Sequence, residues 1–182
     1  MRNIFKISFT LFLFLTFASF NNQPKNEISE SSEWISLFDG KTFDGWHSYN
    51  GDEISKKWSI ENEVMVFDPK NPNVKNVTSS GNIVTDQEFT NFELYLEWNV
   101  SEVGNSGLFW GVKEIDGLSQ PYLTGAEIQI LDNDRHPDAK NNPKFHQSGA
   151  LYDMVQPESD VCNPAGQWNI MILKINHAEN SG

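Results

Sequence analysis

Glu127 and Gln129 stand two residues apart in Thr124-Gly125-Ala126-Glu127-Ile128-Gln129-Ile130-Leu131-Asp132-Asn133. On an extended chain that spacing puts the carboxylate and the amide on one face, about 7 Å apart, with Ile128 and Ile130 turned toward a core. Such a pair can bind a polar ligand and take a proton from it. The plainer reading is a solvated outer face. The next residues, Asp132-Asn133-Asp134-Arg135-His136, crowd acids, an amide and an imidazole into one loop. Binding residues collect on such loops over rigid scaffolds, which favours a site. Two further polar patches are Asn105-Ser106-Gly107 and His146-Gln147-Ser148-Gly149-Ala150-Leu151-Tyr152. The Asn105 amide and Ser106 hydroxyl suit sugar hydroxyls, or the segment is a tight turn. His146 and His136 are ligand-binding candidates against the commoner surface role.

Sharper motifs are missing. The sequence has no His-Glu-x-x-His, no phosphate-cradling glycine loop, no G-x-S-x-G elbow and no dinucleotide fingerprint. The four histidines (47, 136, 146, 177) lack zinc spacing. A divalent cation held by Asp, Glu and His across loops stays open, and no cofactor is called for. The single Cys162 permits no intramolecular disulfide.

The elements that would position these residues are short strands. Phe92, Leu94, Leu96, Trp98 and Val100 alternate with Glu93, Tyr95, Glu97 and Asn99, the pattern of a half-buried antiparallel strand. Shorter runs at Trp34 to Phe38, Trp58 to Ile60, Val64 to Phe67, Asn82 to Thr85, Gly107 to Val112 and Ala126 to Leu131 read the same way. Asn169 to Ile175 is almost continuously apolar, as for a strand covered on both faces. Asp-Gly, Asn-Gly and Asp-Pro turns divide the runs. No internal repeat and no convincing helical period is present. The expected fold is an all-β antiparallel sandwich or jelly roll with very little helix.

Lys+Arg number 13 and Asp+Glu 25 in 182 residues, a net charge of −12. Setting aside Arg2 and Lys6 leaves 11 against 25, or −14, over residues 21–182. That sign repels phosphate backbones and anionic lipid, so nucleic acid is excluded as a partner. Met1 to Phe20 has a basic start followed by about 14 apolar residues, the layout of a secretory signal and too short for a spanning helix. It is expected to direct export to the periplasm, cell envelope or medium, to touch membrane only if uncleaved, and not to pack on the sandwich. Residues 21–33 read as a polar linker, and residues 34–182 as the domain. The turn-like His177 to Gly182 has no strand after it, so the sandwich is expected to be incomplete at its C-terminal end.

Phe38-Asp39-Gly40-Lys41, Gly45-Trp46, Asn105-Ser106-Gly107, Gly125 to Asp132, Gly149-Ala150-Leu151-Tyr152 and Gly166-Gln167-Trp168-Asn169 follow one another in an order that resembles the 3-keto-disaccharide hydrolase family. The resemblance runs from Trp34 to Gly182. It implies a concanavalin-like, laminarinase-like jelly roll and an exported bacterial enzyme that cleaves glycosides already oxidised at carbon 3. The family's later hairpin and its final His-containing strand are absent from this sequence. A ketone at carbon 3 acidifies the proton on carbon 2, whose removal expels the aglycone before water adds. That chemistry makes Glu127 the candidate base and His136 the second candidate. Gln129, Asn105 or a bound cation would hold the oxyanion, and Ser106, Asp132, Asn133 and His146 complete the substrate-binding set.

Two other functions compete. A laminarinase-type retaining glycosidase would use Glu127-x-Gln129-x-x-Asp132, but the middle acid is an amide and positions five apart need a bulge to share a face. A non-catalytic carbohydrate-binding module would stack sugars on Trp46 or Trp110. Glu127→Gln separates these: a module keeps its affinity, whereas an enzyme loses turnover.

Overall fold

The computed structural model describes residues 34–71 and 81–176, and the backbone of residues 3–6. The strands are β1 (Asn3–Lys6), β2 (Trp46–Ser48), β3 (Trp58–Glu61), β4 (Val64–Phe67), β5 (Ile83–Thr85), β6 (Phe92–Asn99), β7 (Asn105–Trp110), β8 (Ala126–Leu131) and β9 (Asn169–Ile175). All named pairings are antiparallel. They form a five-stranded sheet in the order β3-β4-β1-β6-β9, a β2-β5 pair and a β7-β8 pair. Helix among the described residues amounts to α1 (Asp138–Asn141) and one 3-10 turn at Pro121–Leu123. The all-β sandwich expected from the alternation is the fold.

Alternation on β6 sets the core. Leu96, Trp98 and Val100 are buried and meet Ile130 of β8, with Leu108 of β7 and Met171 of β9 packed against them. One face of the β7-β8 pair therefore closes on the large sheet. The other face is left for a site.

Three expectations are corrected. Trp34 to Phe38 forms no strand. Its backbone is held instead by the Trp46 indole N–H, which donates to the Leu37 carbonyl at 2.6 Å. β9 is covered on one face only, since Ile170 and Ile172 are each 63% exposed. Exposure alternates along it, with Asn169, Met171, Leu173 and Ile175 on the more buried face and Ile170, Ile172 and Lys174 on the exposed one, as in a strand of an antiparallel sheet with one solvated face. The backbone of Asn3–Lys6, expected to stay off the sandwich, lies between β4 and β6 with Phe5 opposite both Met65 and Trp98. Each of those strands has a ladder edge there, and a short extended segment satisfies both. Residues 7–33 and the turn beginning at His177 lie outside the described residues.

Candidate active site

The site begins with the register of β7 and β8. Phe109 faces Glu127, Gly107 faces Gln129 and Asn105 faces Leu131, whereas Ser106 faces Ile130. Directly opposed residues share a sheet face. Glu127 and Gln129 thus project with Asn105 away from the core, and Ser106 falls on the core side.

A third segment runs along the free edge of β8. The Gln129 N–H donates to the Ala150 carbonyl at 3.0 Å, the Gly149 N–H to the Gln129 carbonyl at 2.9 Å and the Tyr152 N–H to the Glu127 carbonyl at 3.0 Å. Ser148 starts this run. Its hydroxyl accepts the Leu131 N–H at 2.6 Å and donates to the Leu131 carbonyl at 3.0 Å, acting as a strand partner in side-chain form. These bonds place Tyr152 beside Glu127. A pocket of about 490 Å³ results, with Asn105, Glu127, Gln129, Asp138 and Tyr152 among its walls. That volume suits a small ligand. Tyr122 (60% exposed) and Met154 (58% exposed) border it with apolar surface.

Glu127 is half-buried, and its carboxyl accepts no hydrogen bond among the described residues. Burial, with the charge of Asp138 second, pushes its pKa up to about 7. Gln129 is 1% exposed. Its Oε1 accepts the Ile130 N–H at 3.1 Å, which fixes the amide orientation. The Nε2 end has no partner among the described residues, and a buried donor left in that state is one a ligand oxygen can satisfy. A base without donors and a donor without acceptors thus line one pocket.

The opposite wall is a charged bracket. His146 Nδ1 lies 3.0 Å from Asp138 and Nε2 lies 2.6 Å from Asp153. Burial opposes a charge on the ring, but the hydrogen bonds to Asp153 and Asp138 outweigh it and raise the pKa. The imidazolium is the form that donates to both carboxylates. Asp153 is held below its ordinary value, chiefly by the His146 hydrogen bond. Tyr152 stacks on His146 with centroids 4.2 Å apart and donates its O–H to Asp138 at 3.0 Å. Burial and that contact push the phenol up to about 12, so it remains a donor.

The residues named from sequence separate into two groups. Glu127, Gln129 and Asn105 meet in the pocket, with His146 behind its wall. Asp132, Asn133, His136 and Ser106 are not among its lining residues. Asp132 is 3% exposed and accepts the N–H groups of Val103 at 2.8 Å and Asp134 at 3.3 Å, closing the loop. Asn133 accepts the Ser148 N–H at 2.8 Å and so positions the third segment. His136 Nδ1 accepts the Asp138 N–H at 3.2 Å at the start of α1. Asp138, Tyr152, Tyr122 and Met154 were not picked out from sequence. Tyr152 ends the His146 to Tyr152 polar patch, whereas Asp138 carries no signal beyond its charge. Among the described residues no three His, Cys, Asp or Glu side chains converge as a metal-holding group.

Residues 33–180 match the model of the 3-keto-alpha-glucoside-1,2-lyase-like domain. The chain belongs to that family. A 3-keto-disaccharide hydrolase of Bacteroides thetaiotaomicron is 37% identical over 165 residues, covering 83% of this chain and 57% of the relative. The crystal structure of a candidate glycosyl hydrolase from Parabacteroides distasonis superposes with a TM-score of 0.70 at 31% identity, covering 78% of this chain and 64% of that one. The chain therefore spans little more than half the length of the curated relative and under two thirds of the solved one. The fold of this chain is thus one also seen in a crystal structure.

Proposed function

We propose that the domain cleaves the glycosidic bond of sugars oxidised at carbon 3, by elimination and hydration, in a protein exported from a bacterial cell. The observation that carries the reading is the half-buried Glu127 carboxyl, with a pKa of about 7, beside the Gln129 Nε2, the two having no hydrogen-bond partner among the described residues. The family and the name of the Bacteroides thetaiotaomicron relative support the substrate class. The basic, then apolar, Met1 to Phe20 supports export.

Glu127 takes the proton from carbon 2, the C–H electron pair becomes the carbon 2–carbon 3 π bond, and the carbonyl π pair moves onto the carbon 3 oxygen as an enolate. Negative charge on the carbon 3 oxygen is met by the Gln129 Nε2 donor, with the Asn105 amide at the same wall. Collapse of the enolate restores the ketone, forms the carbon 1–carbon 2 double bond and breaks the bond from carbon 1 to the aglycone oxygen, which leaves with the proton that Glu127 took up, so the base is regenerated. Water then adds across the double bond, its hydroxyl to carbon 1 and its proton to carbon 2. The apolar sides of Tyr122 and Met154 suit the C–H face of a pyranose.

Glu127→Gln in the full-length protein should lower aglycone release from a 3-keto-glucoside by roughly 10²–10⁴, the usual contribution of a positioned base. Ligand affinity should be largely retained. An unreduced rate would refute the assignment of Glu127. Binding by the wild-type protein without turnover would favour a carbohydrate-binding module.

A further inference from the structure

Glycine in the middle of a strand needs a reason, because it loses more backbone entropy than other residues and offers nothing to pack. Gly107 lies inside β7, where it faces Gln129 and sits one step diagonally from Glu127. Its backbone supplies no reason, since it is not among the glycines with positive φ. The space above it does. A Cβ on Gly107 would lie 1.9 Å from Glu127 Oε1, 2.7 Å from Cδ and 2.8 Å from Cγ. The Glu127 carboxyl rests directly over the bare backbone of β7.

We infer that Gly107 is a positioning residue for Glu127: the side chain missing from β7 is the space that holds the carboxyl at the pocket floor. The inference rests on the proposed role of Glu127 and adds what fixes its place. The three close atoms all belong to the outer part of one flexible side chain. A methyl group at 107 would therefore displace the carboxyl while leaving the hairpin backbone where it is. Gly125 differs, because a Cβ there would meet the Trp110 carbonyl oxygen at 2.9 Å and the Val112 side chain at 2.6 Å. Substitution at 125 strikes the backbone of the hairpin itself. Of the two, position 107 is the one that moves Glu127 selectively, and misplacing a reacting group by about 1 Å can cost on the order of 10² in rate.

The test is Gly107→Ala in the full-length protein, read in two ways. Carbon-13 NMR of glutamate carboxyls, with Glu127 assigned by Glu127→Gln, should show a shifted Glu127 titration midpoint while thermal melting stays cooperative. Release of aglycone from a 3-keto-glucoside should lose roughly 10–100-fold in kcat with KM within about twofold. An unchanged midpoint together with an unchanged kcat would overturn the inference. A wild-type protein with no turnover would instead refute the proposed function, and the midpoint alone would then decide the role of Gly107. If Gly107→Ala is destabilised, adding Glu127→Ala should remove the destabilisation, because the clash is with that side chain. Persistent destabilisation in the double variant would also overturn the inference.

Discussion

Asp132 and Glu127 are carboxylates five residues apart with opposite surroundings. Asp132 is sealed in a loop by backbone N–H donors and by Arg135, its Oδ2 lying 3.4 Å from that guanidinium. Glu127 accepts no hydrogen bond among the described residues and meets a second negative charge. Saturation with donors marks a structural acid, and their lack marks one left for a ligand. Composition cannot tell the two apart, so the Glu127–Gln129 pair was legible from its alternation with Ile128 and Ile130, whereas Asp132 and His136 were placed in the site by residue type alone. Folding raises the Glu127 pKa from 4.5 to about 7. Between those values the folded state keeps a proton that the unfolded state has released, so this group lowers stability as pH rises through the window. Glu127→Gln should therefore raise the melting temperature relative to wild type at pH 8 and leave it nearly unchanged at pH 4. Calorimetry at the two pH values checks this, and an equal difference at both would contradict it.

Three neighbouring strands of chain make the site, and only two of them read as strands. β7 and β8 carry alternation, but Ser148-Gly149-Ala150-Leu151 has none. It joins β8 because the Ser148 hydroxyl and backbone groups from Gly149 to Tyr152 satisfy the β8 edge. That bonding is tertiary, which is why Tyr152 escaped notice. Ser148 is 2% exposed, so Ser148→Ala leaves the Leu131 N–H and C=O without their partner in a dry setting. It should cost about 1–3 kcal/mol in urea unfolding. A loss well under that range would mean that water or neighbouring backbone replaces the hydroxyl. β9 illustrates the converse error: an apolar run shows that a strand exists, but not how many faces are covered. Ile170 and Ile172 belong to the uncovered one.

Across the whole molecule, the all-β pattern predicted the fold but not the strand order, and the −12 charge argued only against nucleic acid. Backbone pairing of Asn3–Lys6 between β4 and β6 is a long-range feature that the leader-like composition of Met1 to Phe20 gave no reason to expect. Removing residues 1–33 should lower the melting temperature by unpairing both edges. An unchanged melting temperature would return the segment to the role of a detachable leader. The proposed function turns on proton removal at carbon 2 by Glu127, a step that an isotope label reads out. A 3-keto-glucoside carrying deuterium at carbon 2 is turned over in ordinary water by the full-length protein. The sugar released is analysed at early times against an enzyme-free control for spontaneous exchange. Elimination requires that deuterium be lost from carbon 2 in step with aglycone release, and Glu127→Gln should stop both together. Release of aglycone with the deuterium fully retained would mean direct displacement at carbon 1 and would contradict it.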